Sequence, residues 1–189
     1  MSNKNEGIFD IVKMVREINT EHLAFALHPG KDMELELKLA YLNALALLMN
    51  ADAEIHDREK EYLATLLYTF DIPKEKLDDL VQFSMNPDKE AVLEVIRSLP
   101  KDEMKYVFLM DCFMLSNADE NYSTEEKGLI CEYARSLLIT KPDEKRIQIL
   151  YTQIQQRNGS SLKTIKLDSG KLEIKIFNYL FQHFQIDIS

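Results

Sequence analysis

Two stretches of this chain repeat one another at an offset of 67 residues, and an internal repeat constrains architecture before any single residue does. Asn50-Ala51-Asp52-Ala53-Glu54-Ile55-His56-Asp57-Arg58-Glu59-Lys60 lies against Asn117-Ala118-Asp119-Glu120-Asn121-Tyr122-Ser123-Thr124-Glu125-Glu126-Lys127, with five of eleven positions identical. The flanking apolar positions keep the same offset. Upstream, Leu37, Tyr41, Leu45 and Leu48 fall on Met104, Phe108, Cys112 and Leu115; downstream, Leu63, Leu66 and Phe70 fall on Ile130, Tyr133 and Leu137. The repeated unit reads as a helical hairpin with an acidic loop. Two such hairpins, within halves of about 32–84 and 101–156, are expected to pack as pseudo-symmetric parts of one bundle, with both loops near the same end.

Helical periodicity runs through the rest of the main body, and Lys, Glu and Arg on the intervening positions are good helix formers. The fold class is therefore all-α, at least to residue 157. Helices are predicted at 8–18, around Leu23–Leu27, from about 33 to 49 and in the 58–70 region; further ones follow at about 74–84, 88–98, 101–116, 123–139 and 142–156. His28-Pro29-Gly30-Lys31 reads as a turn, and the Pro-containing breaks at Pro73, Pro87, Pro100 and Pro142 separate helices. Domain 1–157 is followed by an extension, 158–189, opening on the linker-like Arg157-Asn158-Gly159-Ser160-Ser161. There Leu172, Ile174 and Ile176 alternate with charged residues, so a β-hairpin over 162–177 is expected, then a short helix. A helical stripe of Leu172, Ile176, Leu180 and Phe184 competes with that reading.

With 23 Lys+Arg against 32 Asp+Glu, the net charge of −9 argues against nucleic acid or an anionic membrane as partner. Cations or basic proteins suit it better. The imbalance is local: residues 1–140 carry a net −12 and residues 141–189 a net +3, so the extension is expected to dock on the acidic body. The amino terminus lacks the apolar stretch of a signal peptide, and the apolar runs Tyr41–Met49 and Val107–Leu115 are too short to span a membrane. A cytoplasmic location follows as an expectation. Cys112 and Cys131 lack metal-site or disulfide spacing and are expected to be core thiols. The aromatic tail residues Phe177, Tyr179, Phe181 and Phe184 are expected to pack against the body.

Each acidic loop presents an Asp, an oxygen-bearing residue two positions on, and a Glu seven positions after the Asp. These are Asp52, Glu54 and Glu59, then Asp119, Asn121 and Glu126. Such hard oxygen ligands suit Ca²⁺ or Mg²⁺, held weakly. The loops are not EF-hands, because the twelfth position counted from each Asp is Leu63 or Ile130. A purely structural reading stands beside the metal one. Ser123-Thr124-Glu125-Glu126 is a capping box, with His56 to Glu59 in the equivalent place, and the same Glu can serve a helix start instead of an ion.

The pattern of a buried helix, Asn-Ala-Asp, a short turn, a cap and then Glu before an apolar helix resembles the TerB-like (tellurite-resistance TerB) superfamily. It is carried here by Asn50-Ala51-Asp52 with Glu59 and by Asn117-Ala118-Asp119 with Glu126, within a resemblance covering about residues 8–156. The resemblance implies an all-helical cytoplasmic domain with a divalent-ion site, linked to stress responses and working within protein complexes. On it, Asp52, Glu59, Asp119 and Glu126 carry the acidic motif. The family commonly has Gly directly after the Asp, where this chain has Ala53 and Glu120.

No His-Glu-x-x-His, nucleophile turn or phosphate-cradling Gly-rich loop is present, and a non-enzymatic role is expected. The first functional reading is a TerB-like stress-response or scaffold protein that binds a divalent cation through the loops. The second is an acidic interaction module, of immunity or inhibitor type, that meets a basic partner without metal. A third is an enzyme holding metal and substrate in an acidic cleft. Ion-linked stability, salt-sensitive association and metal-dependent turnover distinguish the three.

Overall fold

The computed structural model describes residues 25–118, 122–157 and 174–186, and within them the secondary structure is helical. A 3-10 turn at Pro29–Asp32 leads into α1 (Leu35–Met49), α2 (Asp57–Thr69), α3 (Lys76–Met85), α4 (Lys89–Ser98), α5 (Met104–Ser116), α6 (Thr124–Ser136) and α7 (Lys141–Gln155). A second 3-10 turn, Ile174–Phe177, precedes the short α8 (Asn178–His183).

Two apolar helices form the centre. Tyr41, Leu42, Ala44, Leu45, Ala46 and Leu48 of α1 and Val107 to Cys112 of α5 are without solvent exposure. A helix apolar on all sides must be covered on all sides. Accordingly α1 packs on α2, α3, α4, α5 and α6, while α5 packs on α1, α2, α6 and α7. The shorter helices start where capping side chains stand: Asp88 accepts from the Glu90 and Ala91 amides, and Thr140 Oγ1 from the Asp143 amide.

The repeated positions behave alike. α2 and α6 begin and end 67 residues apart. Leu45, Leu48, Leu63, Leu66 and Phe70 are buried together with their counterparts Cys112, Leu115, Ile130, Tyr133 and Leu137. Both helices close with the same pair of backbone bonds, Phe70 N–H to Leu66 O and Ile72 N–H to Leu67 O, against Leu137 to Tyr133 and Ile139 to Ala134. Asp71 and Leu138, at φ 57° and 54°, supply the left-handed residue that this helix ending requires.

Three expectations change. Phe25, Ala26 and Leu27 lie in a turn closed by the His28 N–H to Phe25 O bond, so that part of the helix predicted around Leu23–Leu27 does not form. Pro29, which disfavours helix in the residue before it, is the physical reason. In the extension, residues 162–173 of the predicted hairpin lie outside the described residues, but Ile174–Phe177 is a 3-10 turn, not strand. There helical periodicity prevails: Leu180 of the stripe is buried and Ile176 and Phe184 pack half-buried against the core, while Leu172 lies outside the described residues. Cys112 is a core thiol as expected; Cys131 is only half-buried and lies beside Glu144 and Lys141. The helix predicted over 8–18 lies outside the described residues.

Candidate functional site

In the first acidic loop, Asn50 ends α1 and the Asp52 carboxylate accepts the Glu54 amide at 3.1 Å, forming a local turn. Ala53 sits at φ 64°, the conformation that glycine adopts without strain. The chain thus makes the left-handed step with an alanine. Glu59 is 3% exposed and its Oε2 accepts the His56 amide at 2.8 Å, closing the start of α2. Its equivalent, Glu126, is 4% exposed and accepts the Ser123 amide at 2.7 Å, while Ser123 Oγ accepts the Glu126 amide at 3.1 Å. Both glutamates therefore work as caps.

Of the six predicted ion ligands, Asp119 and Asn121 lie outside the described residues. Asp52 is partly buried against its own turn, and Glu54 is solvent-facing with an oxygen 3.8 Å from His56 Nε2. Among the described residues no group of three or more His, Cys, Asp or Glu side chains is arranged to hold a metal ion. Leu63 and Ile130 are buried, in keeping with loops that are not EF-hands. Arg58 Nη1 donates to the Ala118 carbonyl at 3.4 Å, so the first turn of α2 reaches the second loop.

A second cluster lies in the core and was not anticipated from sequence. Asp111, without solvent exposure in the middle of α5, accepts four side-chain hydrogen bonds. His28 Nε2 and Tyr41 OH reach Oδ2 at 2.9 and 2.8 Å; Tyr62 OH and Tyr179 OH reach Oδ1 at 3.1 and 2.8 Å. The Gly30 amide donates to His28 Nδ1 at 2.9 Å, so that nitrogen carries no proton and Nε2–H is the donor to Asp111. Gly30 is needed for this turn. A Cβ there would stand 2.8 Å from the Phe70 ring and 2.9 Å from His28 Cε1.

A buried carboxylate is tolerable when fixed donors replace its hydration, and here each oxygen has two. The tyrosines answer in kind: burial, followed by the nearby Asp111 charge, pushes the hydroxyls of Tyr41, Tyr62 and Tyr179 well above their ordinary value, keeping them protonated donors. The cluster joins the amino-terminal turn (His28), α1 (Tyr41), α2 (Tyr62), α5 (Asp111) and α8 (Tyr179). The available signal was one carboxylate inside the apolar run Val107–Leu115.

Beside the cluster, an open cleft of about 400 Å³ runs between α2 and the end of α5. Phe25, Tyr62 and Met114 contribute to its lining, Arg58 and Ala118 belong to its rim between the loops, and His183 and Phe184 of the tail contribute from the other side. Burial lowers the His183 pKa.

No helix among the described residues is long and apolar enough to cross a membrane. No curated protein and no solved structure matches the chain. The family described as Tellurite resistance protein TerB matches residues 38–149, a span that runs from within α1 into α7 and contains both acidic loops. This chain, helical in its described secondary structure, belongs to the TerB family.

Proposed function

We propose that this chain is a non-enzymatic scaffold protein of a stress response, built of two pseudo-symmetric hairpins, whose working surface is the acidic end of the bundle. The observation that carries the reading is the division of labour among the loop carboxylates. Glu59 and Glu126 are committed to helix starts, whereas the Glu54 and Asp57 side chains are 70% and 93% exposed. Solvated carboxylates at the start of α2 offer a basic protein partner charge complementarity and a fast encounter. A lysine-rich peptide tests this. Its binding should fall steeply with salt, and at least ~10-fold in a Glu54→Lys, Asp57→Lys variant, but not in Asp78→Lys, Glu94→Lys, which makes the same charge change elsewhere. Equal losses in the two variants overturn the proposed face.

The metal reading has its own support. The Asp52 turn and the left-handed Ala53 keep a tight loop at a cost in strain, and strain retained in a loop is a reason to suspect a ligand. On this reading, Asp52, Glu54 and Glu59, with Asp119, Asn121 and Glu126, bind Ca²⁺ or Mg²⁺ weakly after the loop adjusts. Chelator-treated protein should then gain melting temperature with millimolar cation, and Asp52→Asn, Asp119→Asn should abolish the gain. Asn preserves a turn-forming side-chain oxygen, so an ion-independent loss of stability is kept apart from loss of the site. No cation-specific shift sinks the metal reading and leaves the basic-partner reading standing.

A further inference from the structure

We propose that residues 174–186 are a releasable latch, held in cis by the Asp111 carboxylate, on a surface that accepts the same kind of segment from a partner protein: a short aromatic helix carrying a phenol. The segment lies beyond the TerB match, which ends at residue 149, yet it fills the core like a bound peptide. Phe177 and Leu180 have no solvent exposure, and Tyr179 and Phe181 are 1% and 3% exposed. The Tyr179 ring meets Phe25 edge-on at 5.5 Å and His28 at 4.4 Å, and its hydroxyl ends on Asp111 Oδ1. Apolar side chains supply the area and one directional bond to a buried charge supplies the register, as in peptide recognition by a groove.

Three observations make this docking separable from the folding of the body. First, α8 has only six residues, about half the length at which an isolated helix becomes even marginal, so its helix depends on the docked state. Second, the tail is not continuous with α7, since sixteen residues, 158–173, separate the two in the sequence. Third, the cleft beside Tyr62 is walled by His183 and Phe184 of the tail itself. Withdrawal of the tail opens this cleft towards Asp111, where water can take the place of the Tyr179 hydroxyl while Tyr62, Tyr41 and His28 stay. The surface then exposed combines Phe25, Tyr62 and Met114 with one carboxylate. A partner helix that re-covers it needs aromatic residues and a hydroxyl donor at the Tyr179 position.

Hydrogen exchange on the full chain tests the latch. Amides in 174–186 should exchange at least ~10-fold faster than those of α1 and α5, through an opening smaller than global unfolding. Tyr179→Phe should accelerate the tail by a further ~10-fold or more, because a hydrogen bond to a charged acceptor is lost, and α1 and α5, whose global opening includes tail release, by no more than the same factor. A labelled synthetic peptide of residues 174–186 should bind the Tyr179→Phe protein at least ~10-fold more tightly than wild type, because its own tail competes less well. The same peptide carrying Tyr179→Phe should bind more weakly. Exchange of the tail in step with α1 and α5 in wild type overturns the latch, whatever the variant does. Absence of peptide binding, or equal binding to both proteins, overturns the partner surface.

Discussion

Ala44 in α1 and Asp111 in α5 stand 67 residues apart, at equivalent places in the two hairpins, and both are without solvent exposure. Around Ala44 the backbone carbonyl takes a distant bond, from Tyr133 OH at 2.8 Å. Around Asp111, four side chains from four other parts of the chain converge. The frames are alike in the limits of α2 and α6, in the capping glutamates of those helices and in buried positions. One polar residue inside the second frame makes it the attachment point for both the amino-terminal turn and the carboxy-terminal tail. Helix ends and apolar spacing thus repeat cheaply, while a single buried charge gives one copy a task that the other lacks.

The strongest way to break the contrast is Asp111→Ala. It leaves the Tyr41 and Tyr179 hydroxyls and the His28 N–H buried, and the Tyr62 hydroxyl half-buried, without their acceptor, and a loss of about 3–5 kcal/mol in denaturant unfolding is expected. Ala44→Gly, which keeps the carbonyl for Tyr133, should cost only about 1 kcal/mol. Equal costs at the two sites would remove the distinction between them.

The caps sharpen the likeness. Glu59→Ala and Glu126→Ala should each destabilise by about 1–2 kcal/mol, and by similar amounts, because each deletes the acceptor for a helix-start amide. A cost confined to one of them would show that the repeated sequence does not carry repeated energetics. Ala53→Gly should act in the opposite direction, stabilising by roughly 0.5–1 kcal/mol in thermal unfolding, since glycine takes the φ of 64° without strain. Its unfolded-state entropy offsets part of the gain.

The smallest effect is expected from pH. Burial lowers the His183 pKa below its ordinary 6.5, so the unfolded chain binds the proton more readily than the folded one. The stability it carries is complete above that ordinary value and is lost as pH falls through the lowered one. His183→Phe should flatten the decline in tail protection between neutral and mildly acidic pH, as read by hydrogen exchange. An unchanged profile would exclude His183 as its source.

Much of the frame was legible because it depends on neighbours in sequence. Ser123 and Glu126 are three residues apart and make their reciprocal bonds within one helical turn, so the capping box could be read directly. The buried sets of α1, α2, α5 and α6 follow from helical spacing and from the common offset. The competing cap reading of Glu59 also came from a local pattern, and that is the geometry found. Local pattern served less well at Ala26, where Pro29 outweighed helical spacing, and at Ile174–Phe177, where burial of one side decided between strand and helix periodicities.

The Asp111 cluster was illegible for the converse reason. Its donors lie 83, 70, 49 and 68 residues away along the chain, and no spacing rule links His28, Tyr41, Tyr62 and Tyr179. An aspartate in an apolar run signals only that something must replace water around it. By itself, the sequence determined the helices from α1 to α7, the glutamate caps of α2 and α6, the repeat at an offset of 67 and an acidic net charge, since each arises from contacts within a turn, from spacing or from summed charge. Only the tertiary structure decided which groups solvate the buried carboxylate and how the turn at His28 and the segment 174–186 meet there, because desolvation makes a charge dependent on whatever donors the packing brings within 3 Å or so.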